Sequence, residues 1–254
     1  MLVFTTEWLL AWLLVLSRVG GVLALAPLPG WRNFPPAARG AFAALLAALL
    51  TPSATLRLSA PAGAATVAAW MLREVALGIA VGLALLWMTE MLGLAAQLLG
   101  FQAGYSYINT VDPSTQVDAT ILNVLFTLLG GLLLFTTGLH HHVIRALALS
   151  LERVPLGAFA PGPRPAVELV RLGSAVFETA VRLALPVVAV LVLLDLALAL
   201  LSYVNARLQL LTLAFPVKMV VAMLTLHVLL LAAPHVFERL AGRVIPLLYA
   251  VGAR

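Results

Sequence analysis

Few residues in this chain have the types and spacing for chemistry. Asp195 stands in VLVLLDLALALL, an acid inside an otherwise apolar run. A carboxylate there is costly in hydrocarbon and normally faces a bundle interior or a water path. It reads either as a proton relay or gating contact, or as an acid that stitches helices by pairing with Arg182, Arg207 or Lys218. No second acid lies on the same helix face to continue a relay, which favours stitching. Lys218, the only lysine, sits in Phe-Pro-Val-Lys-Met. Glu90 and Gln97 are seven residues apart and share a helix face. They can bond a partner helix or line a cavity, and helix adhesion is the simpler reading.

The triplet His140-His141-His142 closes an apolar run that begins at Ala119. Consecutive helical residues point about 100° apart, so they do not converge on one metal as i,i+4 ligands do. Imidazoles at a helix end that complement its C-terminal dipole are the plainer expectation. A phosphate-binding loop needs G-x-x-x-x-G-K-[ST], and Lys218 has no such frame. H-E-x-x-H is absent, and with no cysteine there is no thiolate site or disulfide. No nucleophile–base pair stands out for a hydrolase. No cofactor and no metal is expected, and the reading is non-enzymatic.

Composition explains why so few polar residues stand out. Of the 254 residues, 63% are hydrophobic and 10% charged, and the mean hydropathy is +1.09. Soluble domains carry about 25% charged residues, so this is a multi-span membrane chain. The net charge of +5 is almost all arginine. Arginines beside membrane spans account for it better than nucleic acid does. Glu7 precedes the first apolar run and no basic segment does, so the first helix is expected to stay rather than be cleaved.

The elements that must position these residues follow from the apolar runs. Trp8–Leu25 has the length of one crossing. Ala38–Leu50 is shorter and stops at Thr51-Pro52, where proline denies the next helical bond. Thr66–Leu99 exceeds one crossing, and Gly78 and Gly82 form a small-xxx-small step for close helix approach. Ala119–Ser150 is expected to break at Gly130-Gly131. Ala166–Tyr203 holds Pro186, the site of an expected kink. Leu208–Ala233 is the last apolar run, with a more polar, interfacial tail from His235 to Arg254. The chain is thus expected to be all-α: a single multi-helix membrane domain of long, kinked hairpins. Residues 1–99 supply the N-terminal helices, 119–150 a helix, 151–165 a linker and 166–254 a C-terminal hairpin.

Between two of these runs lies GFQAGYSYINTVDPSTQVD, Gly100 to Asp118. Irregular backbone at membrane depth survives only when buried in protein or lining a cavity. Gly100 and Gly104 permit tight approach, and Asp112-Pro113 favours a turn. Phe101, Tyr105 and Tyr107 are bulky, and the stretch has no Lys or Arg. An ordinary exposed loop is the competing reading. A re-entrant, packed constriction suits these residues better.

Four stretches carry a resemblance. SRVGGVLALAPLPG (17–30), GFQAGYSYINTVDPSTQ (100–116), GLHHHVIRALALSLERVPLG (138–157) and LLDLALALL…FPVKM (193–219) resemble the FliR/SctT family of export-gate subunits. The resemblance runs in order along essentially the whole chain. It departs at Ser202–Gln209, where the family's proline is missing. It implies a non-enzymatic subunit that joins FliP- and FliQ-type partners, with FlhB- and FlhA-type subunits nearby. The assembly would form a channel for unfolded export substrates in the bacterial inner membrane, within a flagellar basal body or injectisome base. The resemblance further implies that the 100–116 loop plugs the closed pore. Phe101, Gln102, Tyr105, Tyr107 and Ile108 would fill it, and Gly100, Gly104, Asp112 and Pro113 would shape it. The rival from residue chemistry alone is a stand-alone ion-coupled transporter using Asp195 and the broken helix at Gly100–Pro113.

Overall fold

The computed structural model describes residues 6–28, 31, 34–54, 63–104, 121–159, 163–204 and 210–251. Among these residues every regular element is helical. Helix α1 is Thr6–Leu25. Glu7 in its first turn complements the positive N-terminal dipole, and Pro27 shortly after its end prevents continuation. Helix α2 is Pro36–Leu50. It starts two residues before the expected Ala38, because proline at the first helical position gives up only an N–H that would have no partner. A 3₁₀ turn, Thr51–Ser53, ends it, with the Thr51 hydroxyl donating to the Ala47 carbonyl at 2.7 Å.

Helix α3, Ala64–Ala103, has 40 residues. Gly104 stops it in the left-handed region at φ 84°, where glycine carries no Cβ penalty. Helix α4 is Ile121–Thr136 and helix α5 is Leu139–Arg153. Helix α6 is Pro163–Val204 and continues through Pro186. Helix α7 is Leu210–Val251. By length and composition α1, α3, α6 and α7 are each able to cross a membrane. The bent α4–α5 pair gives a fifth candidate if counted as one span.

Four sequence expectations change. The loop expected from Gly100 does not start there, because α3 continues to Ala103 and Gly104 is the residue whose left-handed backbone ends it. The break after Ala119 does not fall at Gly130-Gly131, where α4 is continuous. It falls at Thr137–Gly138, where the chain bends by 63° and Gly138 has φ 69°. Glycine tolerates a helix interior when it admits a neighbour, and a Cβ on Gly130 would lie 3.3 Å from the Thr89 Cβ. The histidine triplet therefore opens α5 instead of closing a helix, so it does not complement a C-terminal dipole. The segment from His235 is no separate tail, because α7 runs through it to Val251.

The chain forms two units. The first comprises Met1–Met88, Leu134–Gly173 and Leu240–Arg254. Within it α1 and α3 cross in parallel: Gly78 faces Arg18, and four residues on Gly82 faces Val22 and Leu25. A Cβ on Gly21 would come within 2.6 Å of the Val75 carbonyl oxygen. The small-xxx-small step thus brings backbone to backbone. Helix α2 packs on α1, and the Trp12 indole N–H donates to the Ala44 carbonyl at 3.3 Å.

The second unit comprises Thr89–Leu133 and Ser174–Arg239. Here the end of α3 and the start of α4 meet α6 and α7 around a cavity of about 10 Å³. Leu99, Ala103, Leu122, Val187, Leu191 and Ala222 line it. Along α6 and α7 many large side chains remain exposed, among them Leu193, Leu196, Leu200, Met223, Leu224 and Val228.

Candidate functional site

The deepest polar group is an ion pair that sequence reading missed. Arg18 on α1 donates from Nε to Glu74 on α3 at 2.5 Å, and both side chains are fully buried. Arg18 Nη1 donates to the Ser150 hydroxyl on α5 at 2.9 Å. Ser150 in turn donates to the Leu147 carbonyl. The other Glu74 oxygen, Oε1, accepts the Gly157 backbone N–H at 2.8 Å. The carboxylate therefore answers both a cation and a buried amide. A charge in an apolar interior persists only with such compensation.

Gly157 is placed by its own turn. The Ala158 N–H donates to the Pro155 carbonyl at 3.0 Å. Gly157 sits at the third position with φ 77°, the conformation that a type II turn requires there. Its carbonyl accepts from Arg73 Nη1 at 3.2 Å. A Cβ at Gly157 would lie 2.7 Å from the Trp70 ring. We expect Gly157→Ala to lower stability by about 1–3 kcal/mol, from left-handed strain and ring overlap together. A fall in the thermal midpoint of the purified chain measures it. An unchanged midpoint would mean that this turn is not held as described.

The second polar cluster contains Asp195. Lys218 Nζ on α7 donates to Asp195 Oδ2 on α6 at 2.8 Å. Gln102 Nε2, in the last turn of α3, donates to the same oxygen at 2.9 Å. The Lys218 side chain is 16% exposed and that of Asp195 45%. Of the three bases weighed from sequence, Lys218 is the one that pairs here. Arg182 pairs with Glu178 one turn away at 2.5 Å, and Arg207 lies outside the described residues. Three helices are thus tied through one carboxylate oxygen.

The remaining candidates separate. Glu90 and Gln97 are both exposed on α3. Phe101 is exposed, whereas Gly100 is buried. Tyr105, Tyr107, Ile108, Asp112 and Pro113 lie outside the described residues. The His140 and His141 rings touch, with centroids 4.0 Å apart and planes tilted by 39°. Among the described residues no group of three or more His, Asp or Glu side chains is placed to hold a metal. Arg18 and Glu74 had one legible signal: each is an ionisable residue within a stretch apolar enough to cross a membrane, which demands a partner of opposite charge.

Long apolar helices, a glycine-mediated crossing and ion pairs closed between helices define a multi-helix membrane protein. Residues 9–244 match the family described as bacterial export proteins, family 1. The chain belongs to that family. It is 27% identical to the flagellar biosynthetic protein FliR of Escherichia coli strain K12, over 94% of this chain and 95% of that one. It is 26% identical to the protein of the same name from Bacillus subtilis strain 168, over 86% and 85% of the two chains. With the one from Caulobacter vibrioides it shares 26% identity over 83% and 84%.

Proposed function

We propose that this chain is a non-enzymatic subunit of a flagellar-type protein export gate in the bacterial inner membrane. It packs with FliP- and FliQ-type subunits, near FlhB- and FlhA-type subunits, around a channel for unfolded substrates. The observation that carries the reading is the near full-length likeness to FliR proteins of three organisms. The exposed leucines and methionines of α6 and α7 support it, since such faces need neighbours. The Gly100–Gln116 stretch, whose residues up to Ala103 belong to the end of α3, closes the pore, with Phe101, Gln102, Tyr105, Tyr107 and Ile108 as its filling. The stand-alone transporter has less support, because Lys218 and Gln102 engage Asp195.

Deleting Tyr105–Asn109 tests the loop. The complex co-produced with its partner subunits should still assemble and should conduct small ions in a planar bilayer. Conductance equal to that of the parent complex would remove the plug from this reading.

A further inference from the structure

The second half of α3 is open along one line. From Thr89 to Ala103, among the described residues, Glu90, Gln97 and Phe101 are the exposed ones, and the others are buried or half-buried. Their spacing of i, i+7 and i+11 puts them on one face of the helix. Gly93 lies on that face between the first two. A Cβ there would come within 3.3 Å of Asn123 Oδ1 on α4 and 3.4 Å of Glu90 Oε2. An acid and an amide thus stand over the same bare stretch of helix. Thr127, one turn beyond Asn123, is exposed as well.

Other open faces of the same unit have the opposite chemistry. Val192, Leu193, Leu196 and Leu200 are exposed on α6, and Met223, Leu224 and Val228 on α7. Those faces suit apolar neighbours. Helix α3 instead hides its apolar side chains and leaves a carboxylate and an amide in the open. Lipid would leave both without hydrogen-bond partners, and polar groups in such helices face a bundle interior or water. A neighbouring helix would need matched donors at the heights of residues 90, 93 and 97. Water supplies them at any height. The line also ends at Phe101, the first residue of the proposed pore filling.

We propose that Glu90, Gln97 and Asn123 form a hydrated, acidic wall of the export passage on its approach to the Gly100–Gln116 stretch, along which unfolded polypeptide slides. This rests on the export-gate reading and adds which face of the chain meets the substrate. The Glu90 carboxylate makes the wall favour cations, as acidic side chains do in cation-conducting pores.

The chain has no cysteine, so single introduced cysteines report each face. Glu90→Cys and Gln97→Cys probe the wall, and Leu196→Cys and Leu224→Cys are the apolar-face controls. Each full chain is co-produced with its P- and Q-type subunits. The purified complex is treated with a cationic or an anionic methanethiosulfonate, and labelling is read on this chain. A thiol ionises and reacts in water but resists ionising against apolar surface. Both wall positions should therefore react about ten-fold faster than the controls, or more. Position 97 lies about 10 Å along the helix from Glu90. The cationic reagent should be favoured there at low salt, and Glu90→Gln should cut that preference about two- to four-fold. Rates at Gln97→Cys no higher than at the controls would overturn the proposal, as would a cation preference that Glu90→Gln leaves unchanged. In both cases an intact complex keeps the gate reading. If the parent does not join P- and Q-type subunits, the gate reading falls. The same labelling of the chain alone in lipid nanodiscs then decides whether α3 carries a water-facing track: the same order of rates upholds it and equal rates overturn it.

Discussion

Replacing Glu74 with leucine should destabilise the chain by about 3–5 kcal/mol, the usual cost of stranding one member of a buried pair. The variant leaves the Arg18 guanidinium enclosed on α1 with only the Ser150 hydroxyl as a partner. It also orphans the Gly157 N–H. Guanidinium does not give up its proton, so Arg18 has no route to neutrality. Arg18→Leu should be milder, because Glu74 then still accepts the Gly157 N–H. The double variant Arg18→Leu, Glu74→Leu should recover most of the loss. What remains is the unsatisfied Gly157 N–H, about 1–3 kcal/mol. The expected order of thermal midpoints in detergent is parent, double variant, Arg18→Leu, then Glu74→Leu. A double variant no better than Glu74→Leu would show that the two side chains do not act as a pair.

The second large effect is expected at Gly78, one turn along α3 from Glu74. A Cβ there would collide with the Arg18 carbonyl oxygen and approach the Gly21 Cα to 3.0 Å. These are backbone atoms of α1, so no rotamer change relieves the overlap. The helices must separate, and separation stretches the Arg18–Glu74 pair as well. Gly78→Ala should cost at least the about 1–3 kcal/mol typical of overpacking, and Gly78→Leu more. Gly20 is the control, because a Cβ at Gly20 meets nothing within 4 Å. Gly20→Ala should be neutral or stabilise by about 0.5–1 kcal/mol through helix propensity. Equal midpoints for the Gly20 and Gly78 alanine variants would mean that the crossing is looser than described.

Both effects arise at one crossing that sequence reading saw only in part. Gly78 and Gly82 announced a close helix neighbour by their spacing. That the neighbour is α1, running parallel and bringing Arg18 onto Glu74, was not legible. The two residues are 56 apart, and no local rule selects one distant apolar helix over another. Asp195 shows the same division. Its cost in an apolar run required a partner, and three bases were open. The α6–α7 packing chose Lys218 and added Gln102 from α3.

Taken by itself, the order of residues determined the all-α membrane class, the approximate extent of α1, α3 and α6 and the membership in the export family. Those depend on local quantities: apolar run length against bilayer thickness, proline and glycine at helix ends, and motif wording. Only tertiary structure decided where α4 and α5 part, because Gly130 is held helical by a neighbour that its own flanks do not reveal. Only tertiary structure decided which charges meet, because a buried ion is stabilised by whatever the fold carries to it through space, and that partner leaves no mark at the ion's own position.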